Sequence, residues 1–324
     1  MRALGDPWAG SRTMVRSLAA LGFSAALTAG CTSLGGGAPN PMAAPAPARP
    51  AEVLAVDPQS ADLRRYYTEI ETHRVANRLM RTDPGTADLR LTAGRLAETY
   101  IDVALRDEHS DRGAVSGRSS VLRRWAVPVR YSLEFGATTS RATRAADYQH
   151  VRALAARLSE ASNHPISVTP LGQTDGNFHV LVLSESERQG AGDRLRALIP
   201  GIDDGAVRLV TDMPRETFCL VLAFARDGSA TYTEAVAVIR AEHPDLTRLA
   251  CYHEELTQGL GLAADSDGAR PSIFNDDQEF ALLTEQDLLL LRIHYDPRLT
   301  PGMTEAQARR TIFSIASELV AGAS

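Results

Sequence analysis

The chain has 324 residues, 44% of them hydrophobic, enough for one sizeable domain with extensions. Its formal net charge is −6, and all 34 basic residues are arginine, a composition that reads as coding bias. No basic stripe is interleaved with aromatics, so no nucleic-acid partner is expected.

In chain order, residues 1–30 read as a signal peptide. Arg12 and Arg16 precede the apolar run "SLAALGFSAALTAG", which is too short for an ordinary spanning helix. Asp6 sits badly ahead of such a run, so Met14 is an alternative start. "LTAGC" resembles the bacterial lipobox, which implies lipidation of Cys31 and a membrane anchor; the plainer reading is a signal peptide that happens to contain a cysteine. The Pro/Ala/Gly-rich stretch over 31–58 is expected to be an extended tether. Thr32 after the cysteine favours the outer membrane, facing the periplasm, by analogy with bacterial sorting. Cys219 and Cys251 then form an even pair in an oxidising compartment, and a disulfide between them is expected to tie a strand to a helix. Two buried thiols are the alternative.

Residues 59–110 contain two segments of helical period separated by "TDPG", read as a helical hairpin. Residues 120–303 are read as one α+β domain built on a twisted mixed sheet. "RRWAVPVRYSLEF" alternates as a half-buried strand, and "DYQHVRALAARLSEAS" is an amphipathic helix. "PISVTPL", "NFHVLVLS", "FCLVLAF" and "EAVAVIRA" are further strands. A helix begins near "DLTRLACYHEEL", where Asp245 after Pro244 is placed to cap it. A final helix covers 304–324. "GAGDRL" lacks a full dinucleotide fingerprint and reads as a loop entering a short helix; "DSDG" reads as a polar turn.

The stretch from Glu254 to Asp265 carries the chemistry. Active zincins set two histidines at i and i+4 on one helix face, with a glutamate that acts as base on metal-bound water. Metzincins extend this to H-E-x-x-H-x-x-G-x-x-H. On that frame Glu254 and Gln258 take the two helical ligand positions, Glu255 the catalytic base, and Gly261 the turn. The third-ligand position is Ala264, with Asp265 one residue late. "PSIF" resembles a Met-turn with Phe274 in place of methionine, expected beneath Glu254 and Gln258. "LLTEQDLLLLRIHY" resembles the closing helix, with Thr284 and Asp287 as a capping box. These segments together resemble a degenerate metzincin (zincin) domain.

"EELTQGLGLAADSD", "PSIFNDD" and "DLLLLRIHYDPRLTPGM", with "RRWAVPVRY" upstream, also resemble a family of bacterial lipoproteins that carries a domain of unknown function, family 2927. The likeness runs from about Leu91 to Met303 and implies a zincin-like domain with no assigned activity.

No two histidines lie four residues apart, which excludes a two-histidine helical zinc site. Reading His253–Glu254 as the motif pair would put Thr257 at the second ligand, so His253 is expected to be structural. Glu254, Gln258 and Asp265 form an alternative metal set of oxygen donors, suited to Ca²⁺, Mg²⁺ or Mn²⁺, with Asp267, Asp276 and Asp277 as further donors. Glu254 and Glu255 leave the helix about 100° apart and are not expected to meet; Glu254 with Asp265 is the better carboxylate pair. Two functions follow. The favoured one is a lipid-anchored envelope protein whose cleft binds a peptide, glycan or envelope protein without cutting it. The alternative is a metal-dependent hydrolase with a non-histidine site and Glu255 as base.

Overall fold

A computed structural model describes residues 58–106, 120–226, 228–275 and 277–322. The expected signal peptide, the expected lipidation site Cys31 and the expected tether up to Asp57 lie outside these residues. In chain order the elements are α1 (Pro58–Ala76), α2 (Ala93–Ala104), β1 (Arg124–Trp125), β2 (Val129–Phe135), α3 (Arg141–Ser162), β3 (Ile166–Val168) and β4 (Phe178–Leu183). Then come α4 (Glu185–Gln189), α5 (Gly192–Leu198), α6 (Asp204–Thr211), β5 (Cys219–Ala225), β6 (Thr231–Arg240), α7 (Asp245–Gln258), α8 (Glu285–His294) and α9 (Glu305–Gly322). Among the described residues no helix is long and apolar enough to cross a membrane.

The strands form one sheet. β3, β2, β4 and β6 run parallel in that spatial order, β1 joins the start of β6 in parallel, and β5 pairs antiparallel with β6. The sheet is mixed, as expected, but mostly parallel. Parallel strands need covered faces, and alternation along each strand supplies two apolar sides. Phe178, Val180 and Val182 of β4 join Ala235, Ala237 and Ile239 of β6 in the main core, with residues of α2, α3, α7, α8 and α9. Leu181, Val236 and Val238 point the other way, onto Leu195, Leu198, Val207 and Val210 of α5 and α6. The domain is therefore three-layered, with helices on both faces.

Three local expectations change. The strand read over "RRWAVPVRYSLEF" breaks into β1 and β2 at Ala126–Pro128, because proline has no N–H to give a ladder. The hairpin expected over 59–110 does not close. α1 and α2 pack on different partners: α2 on α8 and α9, α1 on α4 and the start of α7. The physical reason is what each helix has to bury or cap. α2 carries Leu96, Ala97, Tyr100, Ile101 and Val103 into the main core, whereas α1 is polar on most faces and its Glu71 supplies a cap.

That cap replaces the one expected from Asp245. Pro244 is the N-cap of α7 and gives no side-chain hydrogen bond. Asp245 is the first helical residue, and its carboxylate accepts instead from Arg248 at 2.8 Å. The open N–H of Thr247 donates to Glu71 Oε2 at 2.8 Å, and the Thr247 hydroxyl donates to the same oxygen at 2.7 Å. A carboxylate at a helix N-terminus is well placed against the helix dipole. The capping box at Thr284 and Asp287 forms as expected.

Candidate functional site

The site is built on the exposed side of α7, where β5 begins. Cys219, the first residue of β5, is bonded to Cys251 in the second turn of α7, with Cα atoms 5.9 Å apart. The segment leading into Cys219 is held by a buried arginine. Arg240 donates to the carbonyls of Met213, Pro214 and Thr217, and pairs with Glu185. α7 itself is anchored from behind by α3, where Asp147 takes a two-pronged bond from Arg248 and one from the Tyr252 hydroxyl.

In front of α7 lies a narrow cleft of about 80 Å³. Its floor is Thr247, Ala250, Cys251 and Glu254. Asp265, Ile273 and Asn275 form one wall, Phe218 and Cys219 another. Arg74, from the last turn of α1, and Met80 close it from above. The chain after α1 runs beside the segment following the 271–274 turn. Met80 and Arg81 donate their N–H groups to the carbonyls of Gln278 and Glu279, and Ala281 donates back to Arg81. Arg81 and Arg270 both pair with Glu279, so this strap is fastened by backbone and charge.

Of the residues singled out along the motif, Glu254 and Asp265 both line this cleft, and Gln258 is hydrogen-bonded to Asp265. Gly261 has φ of +123°, the glycine-favoured region, and reverses the chain after α7. The returning segment brings Asp265 to the cleft, where Gln258 Nε2 donates to its Oδ1 at 3.3 Å. Ala264, where the sequence frame expected a third ligand, is buried and donates its N–H to the Val103 carbonyl of α2. Glu254 faces the cleft opposite Arg74, whose guanidinium lies 4.8 Å over the Phe218 ring. Burial pushes the Arg74 pKa down, and the Glu254 carboxylate pulls it back up.

Glu254 and Glu255 do meet, against expectation. A carboxylate oxygen of each and the Cys219 sulfur lie within 4.8 Å of one another. Divergence at the backbone is overcome by the reach of two long side chains, which converge at the mouth of β5. The Cys219 sulfur is tied up in the disulfide and is not a thiolate donor. The additional oxygen donors expected do not line the cleft: Asp267 and Asp277 are exposed, Asp277 accepts from the Glu279 N–H to close a turn, and Asp276 lies outside the described residues. Phe274 is buried in the main core, while its neighbours Ile273 and Asn275 line the cleft.

His253 is structural, as read from the sequence. Its Nδ1 accepts the Leu283 N–H at 2.9 Å, so its proton sits on Nε2, which donates to His150 Nε2 at 2.9 Å. Burial lowers its pKa to about 3 and keeps it neutral. The residues the sequence did not reveal are Arg74, Met80 and Phe218. None sits in a motif, and Arg74 reaches the cleft from 180 residues upstream of Glu254 on a helix held by the Glu71 cap, the Ser60–Glu242 bond and the buried Tyr67.

Fold and site together define an α/β domain with an acidic cleft edged by a disulfide and closed by an upstream helix. The chain belongs to the family described as "Protein of unknown function (DUF2927)", whose match covers residues 93–313. Neither the curated proteins nor the solved structures contain a match to it.

Proposed function

We propose that this chain is a lipid-anchored envelope protein whose zincin-like cleft binds a partner without cutting it. One observation carries this reading. At each helical ligand position of the peptidase frame the side chain already has a protein counterpart. Gln258 gives its amide N–H to Asp265, and Glu254 faces the Arg74 cation. An amide that presents its N–H inward offers no lone pair to a metal there, and a guanidinium beside the carboxylate supplies the positive charge a cation would bring. The acidic, narrow cleft suits a peptide or glycan segment bearing a cationic or hydrogen-bond-donating group. In the cell the protein would hang from Cys31 on the periplasmic side of the outer membrane.

The test is a comparison of wild type with Glu255→Gln. Neither should cleave peptide or protein substrates with added Zn²⁺, Ca²⁺, Mg²⁺ or Mn²⁺, and the variant should restore a deletion strain as well as wild type does. A folded Glu255→Gln protein that fails to do so defeats the non-catalytic reading. The anchor is tested separately: Cys31→Ala should abolish lipid labelling and release the protein from membranes.

The second reading is a metal-dependent hydrolase, favoured by Glu254 and Asp265 lining one cleft with Gln258 hydrogen-bonded to Asp265. Its oxygen donors would suit a hard divalent cation, held by Glu254 and Asp265 after the Gln258 amide turned over. Such an ion would supply a more acidic water, and Glu255 would take its proton. Metal content of protein purified without chelator separates the two readings.

A further inference from the structure

The disulfide occupies the point in the cleft where sulfur and carboxylate donors converge. Cys219 Sγ lies within 4.8 Å of an oxygen of Glu254 and of Glu255. Cys251 Sγ is bonded to it and so lies beside this three-residue group. Cys251, Glu254 and Glu255 stand at i, i+3 and i+4 on α7 and share one stretch of helix surface. The i,i+4 spacing is the one by which a helix offers two donors to a single ion. Here it joins a cysteine to a glutamate.

We propose that reduction of the Cys219–Cys251 bond turns this end of the cleft into a zinc site, with both sulfurs and the carboxylates of Glu254 and Glu255 as ligands. Zinc takes four sulfur, nitrogen or oxygen donors in a tetrahedron, with bonds of about 2.3 Å to sulfur and 2.0–2.2 Å to oxygen. Donors around such an ion stand roughly 3.4–3.8 Å apart on those bond lengths. The carboxylates need to draw in by about 1 Å, and the freed sulfurs need to part from bonding distance by roughly 1.8 Å, both within side-chain rotation. Thiolates select zinc over calcium or magnesium, so this site differs in kind from the oxygen-donor set of Glu254, Gln258 and Asp265.

The steps balance. A dithiol gives two electrons and two protons to the bond and becomes a disulfide itself; the S–S bond breaks and two S–H bonds form. Zinc then displaces both protons. Two thiolates and two carboxylates around Zn²⁺ leave a net charge of −2, and Arg74 in the same cleft offsets part of it. In the oxidised chain neither sulfur can act as a thiolate, so the site exists only after reduction.

The test uses the full chain, oxidised or reduced anaerobically with a phosphine, and titrated with Co²⁺ as a spectroscopic stand-in for zinc. The reduced chain should show thiolate-to-cobalt charge-transfer absorption at one ion per chain, bleached by Zn²⁺; the oxidised chain should show none. Glu254→Gln and Glu255→Gln should each weaken cobalt binding, by at least the 10–100-fold that loss of a supporting residue costs. Absence of the band, or equal affinity in the double glutamine variant, overturns the proposal. So does a reduced chain that unfolds by near-ultraviolet circular dichroism and is not restored by metal. The binding role proposed above belongs to the disulfide-bonded chain and stands or falls separately.

Discussion

Arg248 of α7 grips Asp147 of α3 through two parallel hydrogen bonds, Nε to Oδ2 at 2.8 Å and a terminal nitrogen to Oδ1 at 3.2 Å, with both side chains almost wholly buried. The Tyr252 hydroxyl adds a third bond to the same carboxylate at 2.9 Å. Removing one partner leaves an uncompensated charge in the core, at a cost of about 3–5 kcal/mol. Arg248→Met should therefore lower the urea midpoint sharply. Arg248→Met with Asp147→Leu should recover much of the loss, because no charge is then stranded. If the single variant unfolds like wild type, this pair does not anchor α7.

Gly261 should tolerate no side chain. Beyond its positive φ, a Cβ there would lie 2.2 Å from His294 Nε2 and 2.3 Å from the Arg123 carbonyl. Those two groups are hydrogen-bonded to each other at 3.0 Å. Gly261→Ala should be destabilised by roughly 1–3 kcal/mol of backbone strain and should, in addition, disrupt this hydrogen bond. A thermal melt within a degree of wild type would show that the turn is not built this way.

The disulfide spans 32 residues, and closing a loop of that length restricts the unfolded chain by on the order of 3–4 kcal/mol. A Cys219→Ser/Cys251→Ser protein should keep its far-ultraviolet spectrum and lose about that much stability in denaturant titration. A smaller loss with an unchanged m-value would mean that the bond strains the native state.

Acid should destabilise the domain. His243, His253 and His294 are buried, and burial lowers each pKa from 6.5 to about 3. Each stays neutral in the fold and takes a proton when unfolded. Their contribution is fully present above pH 6.5 and is lost progressively as pH falls toward 3. Asp287 works the other way: burial raises it from 3.8 to about 6 despite four bonds from Ser272, Ile273 and Thr284. Its ionised form costs stability above pH 6, a cost relieved as pH falls toward 4. Three histidines outweigh one carboxylate, so the urea midpoint should be lower at pH 5 than at pH 7.5. A flat or rising midpoint would contradict this.

Much of this architecture was legible because its signals are local. The box at Thr284 and Asp287 needs only three residues of spacing, and Gly261 only one special backbone angle. The pairing of Cys219 with Cys251 followed from there being two candidates once Cys31 was set aside. What escaped was decided at long range. Nothing near Pro244 says that Glu71 will cap α7, and nothing near Arg74 says that it will face Glu254. The convergence of Glu254 and Glu255 was missed because backbone geometry was allowed to decide where flexible side chains end.

The two groups that close the cleft, Arg74 and Met80, both precede the family-matched segment that starts at residue 93. A homologous chain sharing only that segment would keep the acidic floor and the glycine reversal but bring its own ceiling. Charge at the entrance could then differ from that set here by Arg74, with the same residues of α7 beneath it. A fragment trimmed to the shared segment would likewise present an altered cleft, open where Arg74 and Met80 stand in the longer chain.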